Sequence, residues 1–292
     1  MITKKNQLRY FFLVWVLVDL WIINQWIERR YAPRNIQDKK NNIGFLIMAT
    51  GKYVDLANRL IESAEQHFCT AHKVTYFIFT DGEVPKKDTI VKVYQEQLGW
   101  PYDTMMRFHA YNKHKELFAK MDYIFACDAD MLFVSDVGDE ILSERVATQH
   151  SQLMFKRGIY ETNPFSTACV NRWEGQHYFA GAFYGGTREE FFKLLKTTTD
   201  RIDTDLARGI IAQVHDESHL NRYFIDYEPT TILSPSYCHF EDWQSPYPKK
   251  LVAFERASHG KSGMRKPRAL NPLDYFQKRL TEEIKKHESV QA

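Results

Sequence analysis

Four stretches of this sequence carry side chains that can do chemistry. Asp128-Ala129-Asp130 directly follows the apolar run Tyr123–Cys127, YIFAC. Two carboxylates one residue apart at the end of a strand can share a hard divalent ion. Oxygen ligands suit Mn²⁺ or Mg²⁺, with a diphosphate completing the shell. The plainer reading is a pair of solvated turn carboxylates. His215-Asp216-Glu217-Ser218-His219-Leu220-Asn221 sets two histidines at i and i+4, a spacing that can bind zinc on a helix. The metalloprotease form needs Glu directly after the first His. Here Asp216 holds that place and Glu217 lies about 100° further round a helix, so a zinc protease is rejected and the histidine pair reads as structural. Tyr178–Gly186, YFAGAFYGG, has small residues that let backbone approach a ligand, flanked by aromatics. Its plainer reading is a buried strand and a tight turn at Gly185-Gly186, and no GxGxxG spacing makes it a phosphate fingerprint. His259, Lys261, Arg265, Lys266 and Arg268 form a basic cluster with Gly260 and Gly263 among them. Such a loop can close on a phosphate, although by composition alone it reads as a solvated tail.

The elements that must position these residues follow an α/β pattern. Ile43–Ala49, Val74–Phe79, Ile90–Val93 and Tyr123–Cys127 are short apolar runs that suit buried strands. Leu56, Leu60, Ile61, Ala64 and Phe68 recur at helical spacing between the first two, and a helical stretch is expected around Tyr102–Lys120. Strand, helix and strand in series predict a mostly parallel sheet with helices on its faces, and ligands in such sheets sit beyond the carboxyl ends of the strands. Asp128 and Asp130 fall at such an end. Leu273, Phe276, Leu280 and Ile284 form a stripe behind Asn271-Pro272, which predicts a packed surface helix.

The whole-chain numbers bound the class. The chain has 292 residues, 44% hydrophobic, 14% aromatic and 26% charged, enough for a large core. A mean hydropathy of −0.47 excludes a multi-span membrane protein. The net charge of 39 − 37 = +2 gives no case for nucleic acid. Cys69, Cys127, Cys169 and Cys238 have no CxxC spacing, so neither a zinc ribbon nor a disulfide framework is indicated. The first thirty residues depart from this average. Tyr10–Ile27 is almost wholly apolar but holds Asp19, Asn24 and Gln25, with Trp15, Trp21 and Trp26 suited to an interface. It reads as an uncleaved anchor, with an amphipathic or buried terminal helix as the alternative. The expected organisation is an N-terminal membrane anchor at 1–28, a stem at 29–42, a catalytic domain at 43–270 and a C-terminal helix or tail at 271–292.

In order along the chain, IGFLIMATGKYV, AEQHF, YFIFTD, MMRF, DYIFACDADMLF, YE-xx-P, YFAGAFYGG, HDESHLNRYF and LSPSYC resemble glycosyltransferase family 6. That family holds the ABO blood-group transferases, the α-1,3-galactosyltransferases and the Forssman synthases. The resemblance runs from about Ile43 to Arg265. It implies a GT-A type, Rossmann-like nucleotide-sugar fold. It also implies retaining transfer of galactose or N-acetylgalactosamine from UDP to the 3-OH of a terminal β-galactoside. By the same resemblance Asp128 and Asp130 match the Mn²⁺-binding DxD, with Mg²⁺ as the alternative ion. Tyr53 matches the aromatic that stacks on uracil, and Met48, Ala49 and Thr50 match the stretch lining the base. Arg107 matches an arginine near the diphosphate, and Lys261 and Arg265 match basic residues of a C-terminal lid. Glu217 matches the carboxylate under the anomeric carbon, acting as a nucleophile or as the stabiliser of a same-face reaction. Asp216 matches a donor-sugar contact, and Ala180, Gly181 and Ala182 match the donor-selecting triplet.

The departures fall on the acceptor side. Val214 stands where animal members carry Trp, His215 supports the same loop, and Trp243 comes later than the family's Trp after LSPSYC. Ala182 is shared by galactose-using and N-acetylgalactosamine-using members, so either donor fits. Another UDP-hexose, a UDP-sugar hydrolase and a catalytically silent carbohydrate-binding homologue are the alternatives. The class also implies a single-pass tether: Golgi type II in a eukaryote, or the inner membrane and its cytoplasmic face in a bacterium. No Asn-x-Ser/Thr sequon is present to support a luminal glycoprotein.

Overall fold

The computed structural model describes residues 40–154, 156–241, 243–253 and 271–291. The expected anchor at 1–28, nearly all of the stem, and Lys261 and Arg265 lie outside the described residues. Among the described residues no helix is long and apolar enough to cross a membrane.

The apolar runs form the expected strands: β1 Asn42–Met48, β2 Lys73–Thr80, β3 Ile90–Tyr94 and β4 Tyr123–Asp128. With β6 Arg145–Gln149, β7 Phe179–Thr187 and β8 Thr231–Leu233 they make a seven-stranded sheet of order β3-β2-β1-β4-β7-β6-β8. A smaller sheet joins β5 Met131–Phe133, β10 Leu251–Ala253 and β9 His239–Phe240. Successive β1 side chains supply both faces of the large sheet, as a period of two requires. Ile43, Phe45 and Ile47 join one apolar cluster under α1 (Tyr53–His67) and the small sheet, while Leu46 joins the other. That second cluster is closed by α2 (Tyr102–Met105), α3 (Arg107–Lys113), α4 (Arg188–Ala207) and α5 (His215–Asp226). The predicted stripe of α1 is the buried one: Leu56, Leu60, Ile61 and Ala64 all face the core.

Two expectations change. The helix expected over Tyr102–Lys120 is broken at Met106, whose φ of −88° and ψ of 6° leave the helical region. The chain restarts at Arg107 and so points this arginine inward, where it is only 6% exposed. The Gly185-Gly186 pair is no turn; both residues continue β7. A Cβ at Gly185 would stand 2.3 Å from the Ile124 carbonyl oxygen, and one at Gly186, where φ is +152°, 1.9 Å from that of Glu144. Glycine here lets three strands close up. Gly186→Ala is expected to lower the unfolding free energy by more than about 4 kcal/mol, read in a urea titration.

β7 is the strand that matters for chemistry. It runs antiparallel to both neighbours, β4 and β6, whereas every other pair in the large sheet is parallel. Its reversal pairs Phe183 with Cys127, so the residues before Phe183 run past the carboxyl end of β4, where Asp128 sits. The β6–β7 register then slips: Ala147 faces Tyr184 but Thr148 faces Ala180. Gly181, Ala182 and Phe183 bulge out of that ladder, a device that re-aims backbone beside functional sites.

Candidate active site

The bulge explains the first contact. Freed from the β6 ladder, the Gly181 N–H donates to Glu217 Oε2 at 2.8 Å. The Tyr178 hydroxyl, three residues upstream, donates to Glu217 Oε1 at 2.7 Å. One carboxylate oxygen is therefore held by β7 and the other by the residue just before it. A Cβ at Gly181 would lie 3.5 Å from Glu217 Oε2 and 3.8 Å from Asp216 Oδ2, so the glycine faces both acids. Ala180 beside it is buried, and Ala182 is the member of the triplet that stays partly open.

The helix that carries these acids is fixed at both ends of its first turns. Val214 closes the start of α5: its carbonyl accepts from Glu217 and Ser218, and its N–H donates to Ser218 Oγ at 2.9 Å. His215 takes a positive φ of 47° at this corner and sets its ring edge-on to Trp100, 5.0 Å away. One turn after Glu217, buried Asn221 mimics a strand neighbour. Its Oδ1 accepts from the Phe179 N–H at 2.9 Å, and its Nδ2 donates to the Phe179 carbonyl at 2.8 Å. Glu161 secures the approach: its two oxygens accept from the N–H groups of Asn163 and Gln213 at 2.7 and 2.6 Å.

Arg107, expected near a diphosphate, lies against the carboxyl end of β4. Its guanidinium is shared between two acids, with Nη1 donating to Asp128 Oδ1 at 2.7 Å and Nε lying 3.1 Å from Asp216 Oδ2. Burial alone would discharge it, but Asp216 and Asp128 outweigh that cost and hold its pKa well above the usual value. It braces the carboxyl end of β4 against α5. Burial pushes the Glu217 carboxyl up to about 7; the Gly181 N–H and the Tyr178 hydroxyl pull it down, and the charges of Asp216 and Asp128 push it up. Loss of one donor must therefore raise it. In Tyr178→Phe the Glu217 side-chain carboxyl, followed by carbon NMR, is expected to titrate at higher pH than in the wild type.

Asp128 and Asp130 flank buried Ala129 and both stay partly exposed. Among the described residues no group of three His, Cys, Asp or Glu side chains gathers to hold a metal alone. The donor set is thus two hard carboxylates, which suits a divalent ion that takes its other ligands from a bound diphosphate and water. Of the α5 histidine pair, His215 is partly exposed at the helix start and His219 is buried. Burial takes the pKa of His219 down to about 3, so it stays neutral.

Met48, the last residue of β1, pairs with Asp128. With Thr50, Gln95, Leu98 and Asp103 it lines a small open depression in the surface. Ala49 is wholly buried, and Tyr53 packs on the first core cluster. Trp243 packs over His239, with ring centroids 5.2 Å apart. The structure thus joins Glu217, Asp216, Gly181, Arg107 and Asp128 through direct contacts, with Met48 and Thr50 beside them. Sequence reading missed Tyr178, Asn221, Glu161 and Asp103 as supports. Asn221 closes the HDESHLN string and stands four residues after Glu217, which was signal enough.

A family model described as Glycosyltransferase family 6 matches residues 23–266. The chain belongs to glycosyltransferase family 6. It is 37% identical over 218 residues to histo-blood group ABO system transferase 1 of Rattus norvegicus, covering 70% of this chain and 63% of that protein. It therefore spans less than two thirds of that relative's length. It is 32% identical over 241 residues to human globoside alpha-1,3-N-acetylgalactosaminyltransferase 1, covering 78% of this chain and 68% of that one. To human alpha-1,3-galactosyltransferase 2 it is 30% identical over 229 residues, 71% of this chain and 65% of that one. The α/β fold with its mostly parallel central sheet fits the GT-A type expected for family 6.

Proposed function

We propose that this family 6 chain is a metal-dependent retaining transferase. It moves galactose or N-acetylgalactosamine from UDP to the 3-OH of a terminal β-galactoside on a glycan or glycolipid. The observation that carries this reading is the Glu217 carboxylate, held at one oxygen by Gly181 of β7 and at the other by Tyr178 just before it, against the Ala180–Ala182 segment and next to the Asp216–Arg107–Asp128 chain. The relatives named for α-1,3 transfer of the same two sugars support it.

Each group has a task in this reading. The pocket of Met48, Thr50 and Asp103 takes the nucleoside, which leaves the diphosphate over Asp128 and Asp130. A divalent cation bound there, Mn²⁺ or Mg²⁺, supplies charge neutralisation for the leaving diphosphate. Asp216 and the Gly181 segment hold the hexose, and Glu217 faces its anomeric carbon. Two routes keep the α configuration. In one, two inversions, Glu217 attacks C1 from the face opposite UDP as the C1–O bond to UDP breaks, and the acceptor hydroxyl then displaces Glu217 from the face UDP left, its proton passing to the released diphosphate. In the other, Glu217 stabilises an oxocarbenium-like state while the acceptor enters on the face UDP leaves. Both need Glu217 ionised, so kcat/KM rises with pH through its titration.

The test is a donor panel. UDP-Gal, UDP-GalNAc and UDP-Glc are each incubated with and without Mn²⁺, with and without lactose. Mn²⁺-dependent, lactose-stimulated release of UDP from the first or second donor is expected. UDP release that lactose does not stimulate would make the chain a hydrolase, and no release from any donor would sink the enzymatic reading.

A further inference from the structure

One described element lies beyond residue 266, where the family match ends: helix α6, Pro272–Gln291. Its packing differs from the predicted stripe. Leu273 and Leu280 are 44% and 47% exposed, Phe276 packs against the second core cluster, and among the described side chains of the helix Tyr275 is the buried one. The Tyr275 ring lies flat on that of Tyr102, with centroids 3.8 Å apart and planes 13° from parallel. Tyr102 is itself 1% exposed and opens α2.

The next residue, Asp103, organises the pocket wall. Its carboxylate accepts from the Leu98 and Gly99 N–H groups at 2.7 and 3.0 Å, and Thr50 Oγ1 donates to it at 3.5 Å. Leu98, Asp103 and Thr50 all line the open pocket. A second contact seats the same helix further along. Arg279 Nη2 lies 2.8 and 3.0 Å from the two Asp203 oxygens, and Asp203 Oδ1 is also 2.9 Å from His109 Nε2 on α3. Helix α3 begins at Arg107. So α6 backs the pocket wall through one contact and the helix of the bracing arginine through the other.

We propose that the C-terminal helix is a positioning element of the nucleotide pocket, which sets affinity for a uridine diphosphate through the stack of Tyr275 on Tyr102. The inference rests on the reading of that pocket given above. With the stack removed, Tyr102 gains a free face and the 98–103 turn loses its backing. Binding must then order a wall that the native protein holds ready, and preorganisation of this kind is a main determinant of affinity.

The test is calorimetric titration of the full chain with UDP and Mn²⁺, comparing wild type, Tyr275→Ala and Tyr275→Phe. A Kd raised roughly tenfold in Tyr275→Ala and restored in Tyr275→Phe, which keeps the ring, is expected. If Tyr275→Ala does not fold, Tyr275→Leu replaces it, retaining apolar bulk without the flat stack. Equal affinities in all folded variants, with only the unfolding temperature lowered, would overturn the inference and reduce α6 to a stabilising strap. A wild-type chain that binds no UDP would overturn the pocket reading itself, and this inference with it.

Discussion

Glu217→Gln folds, binds UDP as the wild type does, and loses transfer by on the order of 10²–10³-fold: this is the expected result with the largest consequence. The fold tolerates the change for a stated reason. Gln keeps an oxygen to accept from the Gly181 N–H, and its NH₂ can donate to the Tyr178 hydroxyl, which turns from donor to acceptor. What is lost is the negative charge, which both retaining routes require opposite a developing oxocarbenium. The linkage has a definite sign. The folded pKa of Glu217 is raised to about 7 from 4.5, so the native state holds its proton more tightly than the unfolded chain. The stability this contributes is present below about 4.5 and is lost as pH rises through about 7. A neutral Gln never meets that loss, so at pH 8 the variant is expected to be at least as stable as the wild type. Steady-state transfer, UDP titration and urea unfolding at two pH values check the three statements separately. Near-normal turnover removes Glu217 from the mechanism.

Much of this site was legible before the fold was known, for particular reasons. Asp128 and Asp130 stand out because an apolar strand ends just before them, and strand ends are where α/β sheets bind. Glu217 was findable because its position after His215 fails the zinc motif and matches another. The reversal of β7 was not legible. Nothing in YFAGAFYGG tells an antiparallel strand with a bulge from a parallel one, because both bury small and aromatic residues. The pairing with β4 decides it, and that is a long-range contact. The Gly185-Gly186 turn failed for a related reason. Glycines mark turns when the chain must reverse, but here they mark strands that approach within a Cβ radius. The ion pairs of Arg107 with Asp128 and Asp216 were not legible, because the break at Met106 has no composition signature and the pairing is long-range. The C-terminal stripe was legible in part: Phe276 packs on the second core cluster as its spacing suggests, but Leu273 and Leu280 are exposed, and the stack of Tyr275 on Tyr102 is a long-range contact that spacing cannot show.

Loss of the proposed metal site is the second large expected effect. EDTA treatment, or Asp130→Asn, is expected to lower transfer by on the order of 10²–10³-fold, the several kcal/mol that charge neutralisation of a leaving diphosphate supplies. Asp130 is the cleaner target of the two acids. Asp128 also holds the buried Arg107 guanidinium, so Asp128→Asn would leave a buried cation short of one partner and cost stability as well as activity. Added Mn²⁺ should restore the EDTA-treated wild type in full and leave Asp130→Asn low. Mn²⁺ affinity, read from the free-ion electron paramagnetic resonance signal in the presence of UDP, should fall in the same variant. Undiminished activity in EDTA would assign the diphosphate to protein cations alone.

The most direct measurement is the anomeric configuration of the product. The enzyme is supplied with Mn²⁺, an α-configured UDP-Gal or UDP-GalNAc and lactose, and the new linkage is read by proton NMR. An α-linked hexose on the 3-OH of the terminal galactose is the expected result. A β-linked product, or a sugar attached elsewhere, would contradict same-side substitution over Glu217.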